Sequence, residues 1–149
     1  MSDTRTPETD TGGQRVAEWL ERGGHPVVGR EIVRDERTAI RVALGAALAR
    51  DGVSAVLLTG GTGVAPRDVT PEAIEPQLER VLPGFGELFR ALSYQAIGSA
   101  ALLSRALGGI AAGRVVLALP GSRAAIDLAL EKLVLPELGH LAAEAVKTA

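Results

Sequence analysis

AVLLTGGTGVAPRDVT, residues 55–70, decides how the rest of the chain is read. Ala55 to Thr59 is apolar at consecutive positions and closed by glycine, the pattern of a short strand covered on both faces in a mostly parallel sheet. Gly60, Gly61 and Gly63 follow at once. Glycine is costly to order, so a cluster directly after a strand marks a tight turn or a backbone that something approaches closely. Thr70-Pro71-Glu72 then supplies an N-cap, a proline at the first helical position and an acid in the first turn, which predicts a helix from Thr70 to about Val81. Strand, glycine turn and helix in that order are the unit of a layered α/β domain.

Outward from this unit, short β-branched runs alternate with longer helical ones. On the N-terminal side Val16, Trp19 and Leu20 repeat at helical spacing between Gly13 and Glu21, and Gly23-Gly24 ends the pattern. A strand is expected from about Pro26 to Val33. Ile40, Ala43, Leu44, Ala47 and Leu48 then form one face of a helix between Glu36 and Arg50. On the C-terminal side Pro83-Gly84 breaks the helix, and Leu88 to Leu107 reads as helix in two pieces divided at Gly98-Ser99. Val115 to Leu119 is a second buried strand, Pro120-Gly121-Ser122 a turn, and Arg123 to Leu133 a helix that Pro136 ends before a short terminal helix. Residues 1–149 thus read as one α/β domain. Such a domain usually opens with a strand, whereas this sequence opens in the polar run SDTRTPETDTGG, so a strand is expected to precede Ser2.

The bulk composition removes several function classes. Sixteen basic and 18 acidic residues are interspersed, giving a net charge of -2 and no electrostatic footprint for nucleic acid or an anionic membrane. An anionic ligand must then be held locally. The absence of cysteine excludes disulfides, thiolate catalysis and Cys-based metal centres, and fits a cytoplasmic protein. His25 and His140 are too few for a three-histidine zinc site. The acidic, polar start is the reverse of a secretory signal, and ALLSRALGGIAAG, interrupted by Arg105 and glycines, is no membrane span.

A glycine turn between strand and helix presents N–H groups to an anion at the sheet edge where open α/β sheets bind ligands. Three turns qualify: Asp10-Thr11-Gly12-Gly13, Gly60-Gly61-Thr62-Gly63 and Gly121-Ser122. Any one of them alone also reads as plain turn chemistry; three on one edge point to a pocket. The central turn lacks the lysine of a P-loop and the third glycine of the dinucleotide fingerprint. It carries Arg67, whose fork suits phosphate, and Asp68, a carboxylate suited to Mg²⁺. A loop salt bridge between these two is the equal alternative.

TGGTG at 59–63, PRDVTPEA at 66–73, PGFGELFR at 83–90, LSR at 103–105 and LPGS at 119–122, in this order and spacing, resemble the MoaB/MogA family of molybdenum cofactor biosynthesis proteins. The resemblance runs from Ser2-Asp3 to Pro136-Glu-Leu-Gly-His140. It implies a three-layer α/β/α domain with a mostly parallel sheet that assembles as a trimer, or in some members a hexamer, and binds molybdopterin. Catalytic members use Mg²⁺ and ATP to transfer AMP to the molybdopterin phosphate with release of pyrophosphate. Asp35 and Asp68 match the family's two aspartates and would orient Mg²⁺. Read from the residues alone, Asp35 is equally a helix N-cap. Under the resemblance the turns at 60–63 and 121–122 supply N–H donors, and Thr59, Thr62 and Ser122 supply hydroxyls. Ser2, Asp3, Arg67, Ser104, Arg105 and Pro120 complete the substrate-binding set, with Arg105 equally readable as an intersubunit ion pair. The chemistry needs no nucleophilic side chain, because the attacking phosphate oxygen is already competent.

Two departures bear on this reading. The family places a strand directly before the Ser-Asp pair, where this sequence has Met1, so the expectation is that the natural chain starts upstream. Gly12 stands where the family more often has serine, which removes one hydroxyl. A non-catalytic, pterin- or nucleotide-binding oligomer of the same family is the alternative function; a generic nucleotide-binding domain would rest on fold analogy alone.

Overall fold

In the strand Arg114–Leu119, Val115, Leu117 and Leu119 belong to one buried apolar cluster and Val116 and Ala118 to another, so this strand is covered on both faces. The computed structural model, which describes residue 1, residue 6 and residues 9–147, builds three layers around it. Numbered in chain order, the elements are α1 (Thr11–Arg22), α2 (Arg37–Leu48), β1 (Ala55–Thr59), α3 (Thr70–Ile74), β2 (Arg80–Val81), α4 (Pro83–Ile97), β3 (Leu107–Ala111), β4 (Arg114–Leu119), α5 (Arg123–Ala129) and α6 (Leu135–Ala145). The sheet runs β1-β4-β3-β2, with β1 parallel to β4 and the β4–β3 and β3–β2 pairs antiparallel. Ile40, Leu44 and Leu48 of α2 and Ala73 and Ile74 of α3 cover one face. The other face carries Val16 of α1, Phe89 of α4, Ile126 and Ala129 of α5, and Leu138 of α6.

β1 keeps the predicted bounds, because a run apolar on both faces has only one place in such an architecture. Other expectations are corrected. The helix expected over 70–81 stops at Ile74 and passes through a 3₁₀ turn, Glu75–Gln77, where Pro76 brings no N–H to continue the ladder. Pro83 starts α4 instead of breaking a helix, since a first-turn residue needs no N–H partner. The split at Gly98 is found, but Leu107 opens a strand. Its Gly108-Gly109 pair admits close neighbours: a Cβ on Gly108 would lie 2.7 Å from Leu117 Cδ2, and one on Gly109 2.6 Å from the Arg80 carbonyl oxygen. Lastly, residues 26–33 form no strand. This stretch and β1 both line a groove of about 770 Å³, and an extended backbone becomes a strand only when its amides meet a partner.

Pro136 does not end the last helical run. A π-helical turn, Leu130–Val134, joins α5 to α6, with Pro136 in the first turn of α6. The layer of α1 and α5 is tied by one carboxylate. Asp127 accepts from Arg15 Nε at 2.6 Å and Nη2 at 3.2 Å and from Trp19 Nε1 at 2.6 Å. The indole is itself flanked by Arg15 and Arg22, whose guanidinium carbons lie 5.6 and 5.2 Å from its centre.

Candidate functional site

The loop after β1 continues the sheet for one more bond, Gly60 N–H to the Leu119 carbonyl at 2.9 Å, and then turns away. Gly61 makes the turn with φ +66, a left-handed backbone that L side chains avoid. A Cβ there would lie 2.4 Å from Thr70 Oγ1 and 3.2 Å from Asp35 Oδ1. Two residues on, a Cβ at Gly63 would lie 2.6 Å from Asp68 Oδ2. The missing side chains of one glycine turn are what let two aspartates approach it. The second turn joins them: a Cβ on Gly121 would be 3.3 Å from Gly60 Cα, and Thr59 Oγ1 donates to the Pro120 carbonyl at 3.1 Å.

Asp35 sits in a bend before α2, with Oδ1 buried. It is not the helix cap; Glu36 holds that position, with no side-chain capping bond. Asp68 is held by a small turn in which its N–H donates to the Ala65 carbonyl at 2.8 Å and its Oδ2 accepts from the Ala65 N–H at 2.9 Å. Arg67 is exposed, and among the described residues it forms no ion pair with Asp68. Buried Thr70 braces the loop from below: its N–H donates to the Gly61 carbonyl and its hydroxyl to the Gly60 carbonyl, both at 3.0 Å.

Arg105 is engaged within its own chain. Its backbone N–H donates to the Thr62 carbonyl at 2.8 Å, Nε to the Gly63 carbonyl at 2.7 Å, Nη2 to the Asp68 carbonyl at 2.5 Å, and Nη1 pairs with Glu72. That bond from Arg105 holds the Glu72 carboxyl below its usual range. Arg37, Asp68, Glu72 and Arg105 line a hollow of about 300 Å³ together with Val64–Pro66 and Val69. Asp35 does not line it.

The other predicted residues divide by location. Ser122, exposed at the start of α5, accepts from the Ala125 N–H at 3.3 Å as its cap. Thr62 is buried. Ser104 Oγ accepts from the Ala106 N–H at 3.3 Å. The Asp10–Gly13 turn caps α1 through Asp10 Oδ1 and the Gly13 N–H at 3.0 Å, and lines the groove that also reaches Thr59. Ser2 and Asp3 lie outside the described residues. Sequence reasoning missed Glu72 and Arg37 as lining of the hollow. Glu72 was legible only as a favourable first-turn acid, a signal that hid its second partner.

The profile described as "Probable molybdopterin binding domain" matches residues 1–140. The "Molybdenum cofactor biosynthesis protein B" of Bacillus anthracis is 50% identical over 145 residues, 97% of this chain and 86% of that protein. The chain belongs to the MoaB/MogA family. Bacillus subtilis has a protein of the same description that is 49% identical, with 97% of this chain and 85% of that protein covered. Among solved structures, a molybdenum cofactor biosynthesis protein B superposes with a TM-score of 0.94 at 50% identity, covering 97% of this chain and 90% of that one. The tungsten cofactor synthesizing MoaB of Pyrococcus furiosus superposes with a TM-score of 0.85 at 37% identity, covering 93% and 86%. These likenesses bear out the three-layer architecture expected of a MoaB/MogA protein.

The family implies Mg²⁺, and the donor set of this MoaB/MogA chain fits it in part. No group of three or more His, Cys, Asp or Glu residues suited to a metal occurs among the described residues. Mg²⁺ is commonly held by one or two carboxylates with substrate phosphates and water, so two aspartates at one turn suit a metal that arrives with nucleotide and suit no tight resident ion. No described helix is long and apolar enough to cross a membrane.

Proposed function

We propose that this MoaB/MogA-family protein is a molybdopterin adenylyltransferase. The observation that carries the reading is the approach of both Asp35 and Asp68 to one glycine turn, at Gly61 and Gly63, with the Gly121 turn packed against Gly60. In the proposed reaction a phosphate oxygen of molybdopterin attacks the α-phosphorus of ATP. A new P–O–P bond forms, the bond to the β-phosphate oxygen breaks, and pyrophosphate leaves with the electron pair. Asp35 and Asp68 would hold Mg²⁺, which when bound would supply neutralisation of the charge that otherwise keeps the two anions apart. The chain's own part is positioning. N–H groups of the turns at 60–63 and 121–122 and the hydroxyls of Thr59, Thr62 and Ser122 would hold two phosphorylated molecules side by side, with Arg67 on the exposed rim. The proposed working form is a homotrimer, with a hexamer as the larger assembly.

Incubation with molybdopterin, ATP and Mg²⁺ tests the reading. Pyrophosphate release that needs all three is expected, and Asp68→Asn is expected to reduce it at least ~100-fold with the thermal melt unchanged. The second reading, a relative that binds pterin or nucleotide without transfer, draws on the position of Asp35 outside the hollow that Asp68 lines. Tight binding with no pyrophosphate would establish it in place of the first.

A further inference from the structure

Between them, the bonds of Arg105 close the loop 62–68. Thr62 and Gly63 stand at one end of that loop and Asp68 at the other, and all three offer a carbonyl oxygen to the same residue, at 2.8, 2.7 and 2.5 Å. Thr62 meets the backbone N–H, while Gly63 and Asp68 meet the guanidinium, whose N–H groups point in fixed directions as those of an ammonium do not. The remaining arm of the fork meets Glu72. Glu72 is steadied in turn by α2: Arg41 Nη2 donates to the Glu72 carbonyl and Arg41 Nε to that of Ala73, each at 3.2 Å. Three of the five guanidinium N–H groups are thus engaged within the chain.

Taking from the proposed function the role of Asp68 as the metal- and substrate-facing carboxylate, we propose that Glu72 and Arg105 are positioning residues. They form a clamp that holds the two ends of loop 62–68 together and thereby aims Asp68, and Arg105 is no substrate ligand. The Glu72 carboxylate fixes the rotamer of Arg105 and neutralises it, so that the hollow beside Asp68 carries no uncompensated cation from this residue.

Amide hydrogen exchange on the full chain tests the clamp without reference to activity. In Glu72→Gln and Arg105→Lys the amides of Ala65 and Asp68 are expected to exchange about tenfold faster than in the wild type, with those of Val116 and Leu117 unchanged. Unchanged loop amides, or loosening that spreads equally to β4, would overturn the proposal. In the adenylyl-transfer reaction both variants are expected to lose kcat by about 10- to 100-fold, to need more Mg²⁺ for half-maximal rate, and to keep KM for ATP within about twofold. A raised KM with kcat intact would make Arg105 a substrate ligand and refute the clamp. Should Arg105→Lys fail to fold, Glu72→Gln, which keeps the side chain's shape, decides alone. If the wild type releases no pyrophosphate, the adenylyltransferase reading falls while the exchange result still upholds or refutes the clamp.

Discussion

Gly61 carries the narrowest tolerance in the site. Its φ of +66 disfavours any L side chain, and the space a Cβ would take already holds Thr70 Oγ1 and Asp35 Oδ1. Gly61→Ala is therefore expected to lower stability by about 1–2 kcal/mol from backbone conformation alone, before any clash is relieved. Relief of the clash moves either the hydroxyl that bonds the Gly60 carbonyl or the aspartate itself, so activity is expected to fall further than stability does. Chemical denaturation and pyrophosphate release, measured on the same preparation, check this. An activity loss no larger than the loss of folded protein would contradict it.

At the level of elements, β1 differs from its neighbour β4 in having one strand partner among the described residues. The bonds from Val115 N–H to the Ser54 carbonyl at 3.0 Å and from Gly60 N–H to the Leu119 carbonyl at 2.9 Å bracket a parallel ladder, in which alternate residues of β1 face β4. The amides of Val56 and Leu58 thus point to β4 and those of Leu57 and Thr59 to the outer edge, where the Met1 amine reaches the Thr59 carbonyl. Exchange measured residue by residue is expected to alternate along β1, slow at Val56 and Leu58 and faster at Leu57 and Thr59, with residues 27–33 fast throughout. Uniform protection from Ala55 to Thr59 would show that the outer edge is paired. The contrast also shows where sequence reading reaches its limit. AVLLT announces a strand because its pattern is local, whereas the strand character of residues 26–33 depended on a neighbour that no local pattern supplies. The strand Leu107–Ala111 was missed for the same reason: the Leu117 and Arg80 atoms that crowd Gly108 and Gly109 lie on other strands.

Over the whole molecule, the glycine turns and Asp68 were legible as candidates because each belongs to a short contiguous motif, whereas Asp35 read locally as a helix cap and entered the site through the family resemblance. The pairing of Arg105 with Glu72 was not, because 33 residues separate them and α3 and β3 must fold before they meet. The same holds for the tie between α1 and α5 within their shared layer, where Arg15 and Asp127 stand 112 residues apart. The hydrogen bond from Arg15 holds the Asp127 carboxyl below its usual range. A carboxyl lowered in the folded state stabilises fully above its unfolded pKa, and that contribution fades as pH falls through the folded one. Because Trp19 is the one tryptophan and donates to that carboxylate, the fold carries its own fluorophore at this junction. Its emission is expected to hold steady through neutral and mildly acidic pH and to change only below the usual carboxylate range, as Asp127 takes up a proton. Asp127→Asn is expected to remove that transition, and a variant still showing it would assign the signal elsewhere. The clamp at loop 62–68 lies in another part of the fold, so light from Trp19 offers a label-free check that substitutions there leave the opposite layer undisturbed.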